Sequence, residues 1–180
     1  MLTRRTVSPL LFLSLCLAVA STLAEAQTVG LQQPTTIDTG AGLVRIRPPA
    51  GWAVLKPAVF GMEPSLGDLD GNGARATLVA TRLPLRPGAV ESMLAKHREE
   101  CERRLKAREI FSVTEKSVGG VPGFAVVAGH RLPLQKGYVW TGFGPSGVYT
   151  FSFWCEPPFF DDYLATFQAT LDSAKFERLQ

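Results

Sequence analysis

Near the end of the chain runs Gly147-Val148-Tyr149-Thr150-Phe151-Ser152-Phe153-Trp154-Cys155. Tyr149, Phe151, Phe153 and Cys155 fall on every second position, so in an extended strand they share one face. Pro157 and Pro158 end the run, because proline has no amide hydrogen to give a ladder. A strand that gathers this much aromatic surface on one side needs sheet partners beside it and a layer over it.

The partners lie upstream. Residues 111–118, 124–132 and 138–143 are apolar extended runs, separated by Gly119-Gly120-Val121-Pro122-Gly123, Gln135-Lys136-Gly137 and Gly144-Pro145-Ser146-Gly147. With residues 148–156 they read as a four-stranded antiparallel meander. Earlier strands are expected at 42–47, where Val44 and Ile46 alternate with Arg45 and Arg47, from Trp52 to Leu55, and at 75–83. Residues 57–67 read as irregular.

Two helices are available as cover. Over residues 90–108, Val90, Met93, Leu94, His97, Cys101 and Leu105 recur along one helical face. The opposite face is charged, with Glu99 and Arg103, Glu100 and Arg104, and Glu102 and Lys106 in the favourable acid-first order at a spacing of four. Such a helix lies with one side on a sheet and the other in water, and here it is expected on the aromatic face of the 148–156 strand. A second helix is expected from a cap at Asp161 or Asp162 to about residue 173, with Leu164, Phe167 and Leu171 inward. Residues 174–179 are expected to add a short edge strand.

The N-terminus reads as an address. Arg4 and Arg5, an apolar stretch over 10–20, and Ala24-Glu25-Ala26 have the order of a secretory signal over residues 1–26. Thr3-Arg4-Arg5-Thr6-Val7 loosely matches a twin-arginine signal, and Leu15 before Cys16 argues against a lipoprotein box. A flexible leader is expected over 27–41 and one domain over 42–180. The location implied is periplasmic or secreted, with no transmembrane segment in the mature chain. Nineteen basic against sixteen acidic residues, a net charge of +3, leave no electrostatic footprint for nucleic acid.

Two cysteines follow the signal, Cys101 and Cys155. An exported chain meets an oxidising compartment, and a helix bearing Cys101 on the Cys155 face would bring the sulfurs together. A disulfide is therefore expected, with two separate buried thiols as the alternative. His97 and Cys101, four apart, lack a third ligand for a metal and an oxyanion loop for nucleophilic catalysis.

Asp68-Leu69-Asp70-Gly71-Asn72-Gly73 resembles the front of a calcium loop, yet position 12 is Val79 and the flanks are not helical. Asp-Gly and Asn-Gly equally suit a tight turn, and the turn is the favoured reading. No nucleophile elbow, phosphate loop or dinucleotide fingerprint occurs, so no cofactor is expected. Trp154, Phe159 and Phe160 are the candidate binding residues. Phe159 and Phe160 sit between two prolines and a helix cap, where an exposed apolar pair would mark a contact with an envelope protein or a small apolar ligand.

The strand into Pro49-Ala50-Gly51-Trp52, a central helix, a meander, and a last helix closing with Leu171-Asp172-Ser173-Ala174-Lys175-Phe176 resemble the PsbP-like and DcrB-like exported proteins over about 42–176. The resemblance implies an α+β fold, an α/β/α sandwich whose antiparallel sheet of about six to seven strands carries helices on both faces. It implies an accessory or binding role in a bacterial cell envelope and no catalytic set. The alternatives are a small periplasmic hydrolase, which would place His130 near a carboxylate, and a weak calcium-binding module.

Overall fold

The computed structural model describes residues 31–39, 43–55, 65–68, 74–82, 88–131, 134–144 and 147–177. In chain order the elements are β1 (Thr35–Asp38), β2 (Leu43–Ile46), β3 (Trp52–Leu55), β4 (Ser65–Asp68), β5 (Arg75–Arg82), α1 (Ala89–Lys106), β6 (Ile110–Glu115), β7 (Gly123–Arg131), β8 (Leu134–Gly144), β9 (Gly147–Cys155), α2 (Phe160–Asp172) and β10 (Lys175–Glu177). Among the described residues the class is mixed, with two α-helices and antiparallel sheets. One sheet has the order β3-β4-β5-β9-β8-β7-β6, the other β1-β2-β10.

The meander β6 to β9 forms as its alternation requires, and β5 adds to its free side, pairing with β9 from Arg75↔Trp154 to Arg82↔Gly147. Several boundaries move. Gln135, Lys136 and Gly137, expected as a turn, are strand residues of β8, paired with His130, Gly129 and Ala128 of β7. Ser65–Asp68, expected as irregular chain up to Gly67 and as the start of the acidic turn at Asp68, pairs with β3 and β5. Thr35–Asp38, inside the expected loose leader, pairs with β2, and Ile37 buries its side chain in the core. The last helix starts at Phe160 with no side-chain cap, so Asp161 and Asp162 sit in its first turn, where their charge favours the positive end of the helix dipole.

Side-chain alternation divides the large sheet into two faces. Ala125 and Val127 of β7, Tyr138 and Trp140 of β8, and Tyr149, Phe151, Phe153 and Cys155 of β9 pack with Phe160, Tyr163, Phe167 and Leu171 of α2. The same cluster takes in Ile37, Val44, Ile46 and Phe176 of the small sheet. The intervening residues Val126, Ala128, Val139 and Trp154 pack with Cys101 of α1 and Ile110 of β6. Since successive strand residues point to opposite sides, the residues packed with α2 and those packed with Cys101 of α1 alternate along the same strands.

This arrangement overturns the expected placement of α1. The aromatic face of β9 is covered by α2 and β10, with Phe153 and Phe167 stacked at 5.0 Å between ring centroids and Tyr149 at 4.6 Å from Phe176. The expected Cys101–Cys155 disulfide is corrected with it. Both cysteines are buried free thiols, and they belong to clusters on opposite sides of the sheet. The alternative of two separate buried thiols is the one observed. The reason is the thinness of the α1 stripe: Cys101 is its one buried residue, a poor match for a face of Tyr, Trp and Phe.

Candidate functional site

Where α1 gives way to β6, the backbone closes the helix in a Schellman arrangement. The Arg108 amide donates to the Leu105 carbonyl at 3.1 Å and the Glu109 amide to the Arg104 carbonyl at 2.9 Å. The residue at the turning point of this motif is usually glycine. Here it is Arg108, at φ 58°, the one non-glycine residue at positive φ among the described residues. A side chain in that conformation costs about 1–2 kcal/mol. Next, the β6–β7 register steps from Ile110↔Ala128 to Ser112↔Val127. Phe111 is thus the extra residue of a bulge, a device that re-aims side chains at sheet edges.

Ile110 turns inward and Phe111 outward, 65% exposed. The Phe111 ring lies along Gly129 of β7, where a Cβ would meet its Cε2 at 3.2 Å. Gly129 pairs with Lys136 of β8. Leu134, 68% exposed, opens β8. Together with Ala107, Gln135 and Pro157, these residues line a groove of about 760 Å³, within the range of small-molecule sites. It lies on the α2 side of the sheet, at the open end near the α2 N-terminus.

Among the described residues three charged side chains line the groove, and two are already matched. Glu109 faces Arg103 at 3.3 Å and Arg104 at 3.5 Å. Lys136 reaches Asp161 at 3.3 Å and stands 4.2 Å from the centroid of the Phe160 ring. Arg108 makes no ion pair with any described residue.

The candidate binding residues read from sequence are dispersed. Phe159 is 40% exposed, in the same 3-10 turn as the groove-lining Pro157. Phe160 is 1% exposed and belongs to the core, which corrects its expected place at the surface. The chain enters α2 at Phe160, so its ring is carried under the helix against Phe167. Trp154 is half-buried on the α1 side, over Gly137. The residues that shape the groove, Arg108, Phe111 and Leu134, escaped the sequence reading. The one local signal was Ile110-Phe111, two adjacent large apolar residues in an alternating edge strand, of which only one can face inward.

His97 and Cys101 do meet, with Nε2 3.6 Å from Sγ, but in a setting that suits neither a thiolate nor an imidazolium. Burial raises the Cys101 thiol above its ordinary value, with Arg104 opposing and Glu100 assisting. Burial and Arg104 lower His97, against the opposing pull of Glu100. The His97 ring packs at 5.3 Å from Phe143 and 5.8 Å from Phe124. A neutral pair held among phenyl rings is packing, and a nucleophilic cysteine needs the thiolate. Among the described residues no three His, Cys, Asp or Glu side chains gather as metal ligands. Residues 69–73 of the acidic loop and the side chain of His130 lie outside the described residues, as do residues 1–26, expected as a secretory signal. No helix among the described residues is long and apolar enough to cross a membrane.

No protein-family model and no curated sequence matches the chain. Solved structures do. The solution structure of cyanobacterial PsbP (CyanoP) from Synechocystis sp. PCC 6803 matches with a TM-score of 0.52 and 14% identity, over 86% of this chain and 99% of that one. A crystal structure from Bacteroides thetaiotaomicron VPI-5482 matches with a TM-score of 0.58 and 9% identity, over 82% of this chain and 49% of that one. The chain therefore has a PsbP-like fold; at these identities the likeness extends to the fold and stops there.

Proposed function

We propose that the protein is an exported, non-enzymatic binding or accessory protein of a bacterial cell envelope, built as an α/β/α sandwich, and that it binds an apolar ligand in the groove beside Phe111 and Leu134. The observation that carries this reading is the pair of large apolar side chains at 65% and 68% exposure on a groove of about 760 Å³. Side chains of this size facing water at a concave site mark a contact surface more often than chance exposure. The sequence of residues 1–26 supports export.

The neutral fluorescent probe N-phenyl-1-naphthylamine tests the groove. It should brighten on binding the wild-type protein, and the double variant Phe111→Ser with Leu134→Ser should abolish the effect. Both sites are exposed, so each change should alter stability by no more than about 0.5 kcal/mol. Equal brightening in the double variant, with melting temperature preserved, would remove the groove from the account. Export is tested separately: expressed in a Gram-negative host, the chain should appear in the periplasmic fraction beginning at Gln27. Retention in the cytoplasm with residues 1–26 attached would count against it.

A further inference from the structure

Resting on the reading of the groove as an apolar ligand site, we infer that its ligand is an acyl chain with a carboxylate head, and that Arg108 is the residue that holds the head. Two independent observations meet at Arg108. The backbone there adopts φ 58° at a helix end, where glycine would close the same Schellman turn without strain. The side chain of that residue then lines the groove as its one charged group without an ion-pair partner among the described residues. Glycine would remove the strain and also the charge. Backbone strain retained at a cleft points from conformation to function.

The surroundings select the rest of the ligand. Phe111, Leu134 and Pro157 offer apolar walls, and Gly129 leaves a flat floor under the Phe111 ring. The floor's backbone is committed to the β7–β8 ladder through Gly129↔Lys136 and His130↔Gln135. A peptide would bring amides needing partners here, whereas an acyl chain brings none. Among the described residues Glu109 is the one carboxylate lining the groove, and Arg103 and Arg104 hold it. The guanidinium fork suits a carboxylate in two parallel hydrogen bonds.

The test is displacement of N-phenyl-1-naphthylamine by three ten-carbon probes: decanoate, 1-decanol and decyltrimethylammonium. Decanoate should displace at a concentration at least about tenfold below decanol, the factor expected for one charge-assisted pair, and the cation should be weakest. Added salt should narrow the gap between decanoate and decanol. Arg108→Gly should bring decanoate to the level of decanol while raising the melting temperature by several degrees. Arg108→Gln should show the same loss without that rise, and Arg108→Lys should keep part of the preference. Decanoate and decanol displacing alike, or Arg108→Gly leaving the preference intact, would overturn the inference and leave the apolar groove standing. Failure of all three probes to displace a bound dye that also ignores Phe111→Ser would overturn the groove itself.

Discussion

His97 is the residue whose chemistry most directly couples to stability. Burial and the nearby Arg104 hold its imidazole below the ordinary value of 6.5. A base depressed in the folded state takes up its proton first in the unfolded chain. Its contribution is therefore complete above pH 6.5 and is lost as pH falls below that value, until the folded imidazole also protonates. Between neutral pH and about pH 5 the melting temperature of wild type should fall more steeply than that of His97→Phe, which keeps a ring against Phe124 and Phe143. Parallel melting curves across that range would refute the assignment. The thiols give a second reading. Burial raises Cys101 and pushes Cys155 up to about 11, so iodoacetamide should leave both unmodified in the native protein. Unfolding without reductant should make both alkylate, and peptide mapping should find no Cys101–Cys155 bridge. Thr170 offers a gain: its hydroxyl is fully buried with no hydrogen-bond partner among the described residues. Thr170→Val keeps the shape and removes the stranded polar atom, which should stabilise by about 1 kcal/mol, seen as a rise of about 2–4 °C in Tm.

Single strands and helices were legible wherever one face is apolar and the other is not. Strand β9 announced itself through Tyr149, Phe151, Phe153 and Cys155, and the inward face of α2 through Phe167 and Leu171. Which helix covers which face was harder to read, because both faces of β7, β8 and β9 carry apolar side chains and either stripe could in principle serve. The deciding quantity is bulk. The α1 stripe ends in a half-exposed Leu105 and buries Cys101 alone. The face it covers is correspondingly lighter, with Val126, Ala128 and Val139 around a single indole. That indole is fitted by a missing side chain: a Cβ on Gly137 would overlap the Trp154 ring, as one on Gly142 would overlap the Trp140 ring. Gly137→Ala and Gly142→Ala should therefore each destabilise by about 1–3 kcal/mol through overpacking. The Gly142 variant should cost more, because Trp140 is fully buried and its indole N–H is tied to the Lys116 carbonyl at 2.9 Å. Equal, negligible shifts for both would show that the rings can step aside. The groove, by contrast, had almost no local code. A bulge at Phe111 and a left-handed Arg108 are set by how β6 meets β7, and neither alternation nor helical period reports that meeting.

At the scale of the whole molecule, an early and a late segment of the described residues complete one layer. β1 and β10 flank β2, so the segment before the large sheet and the segment after the last helix close over the same aromatic face. This is why Thr35–Asp38 of the expected leader forms a strand, and why the cover of β9 could not be found by looking at the helices alone. Part of it is Phe176, a residue four positions beyond α2. Its ring lies 4.6 Å from Tyr149, 5.9 Å from Trp140 and 6.4 Å from Phe151, and its backbone pairs with Val44. Phe176 thus links the small sheet to the large one. A fully buried phenylalanine cut to alanine costs about 3–5 kcal/mol, and Phe176 is only partly buried, so Phe176→Ala should cost about 2 kcal/mol. That corresponds to a fall of about 4–8 °C in Tm. If the small sheet is held to the large one chiefly through this ring, hydrogen exchange in β1 and β2 should accelerate in the variant under native conditions, while β7 and β8 stay protected. Uniform acceleration across both sheets would mean that the layer opens only with the whole molecule.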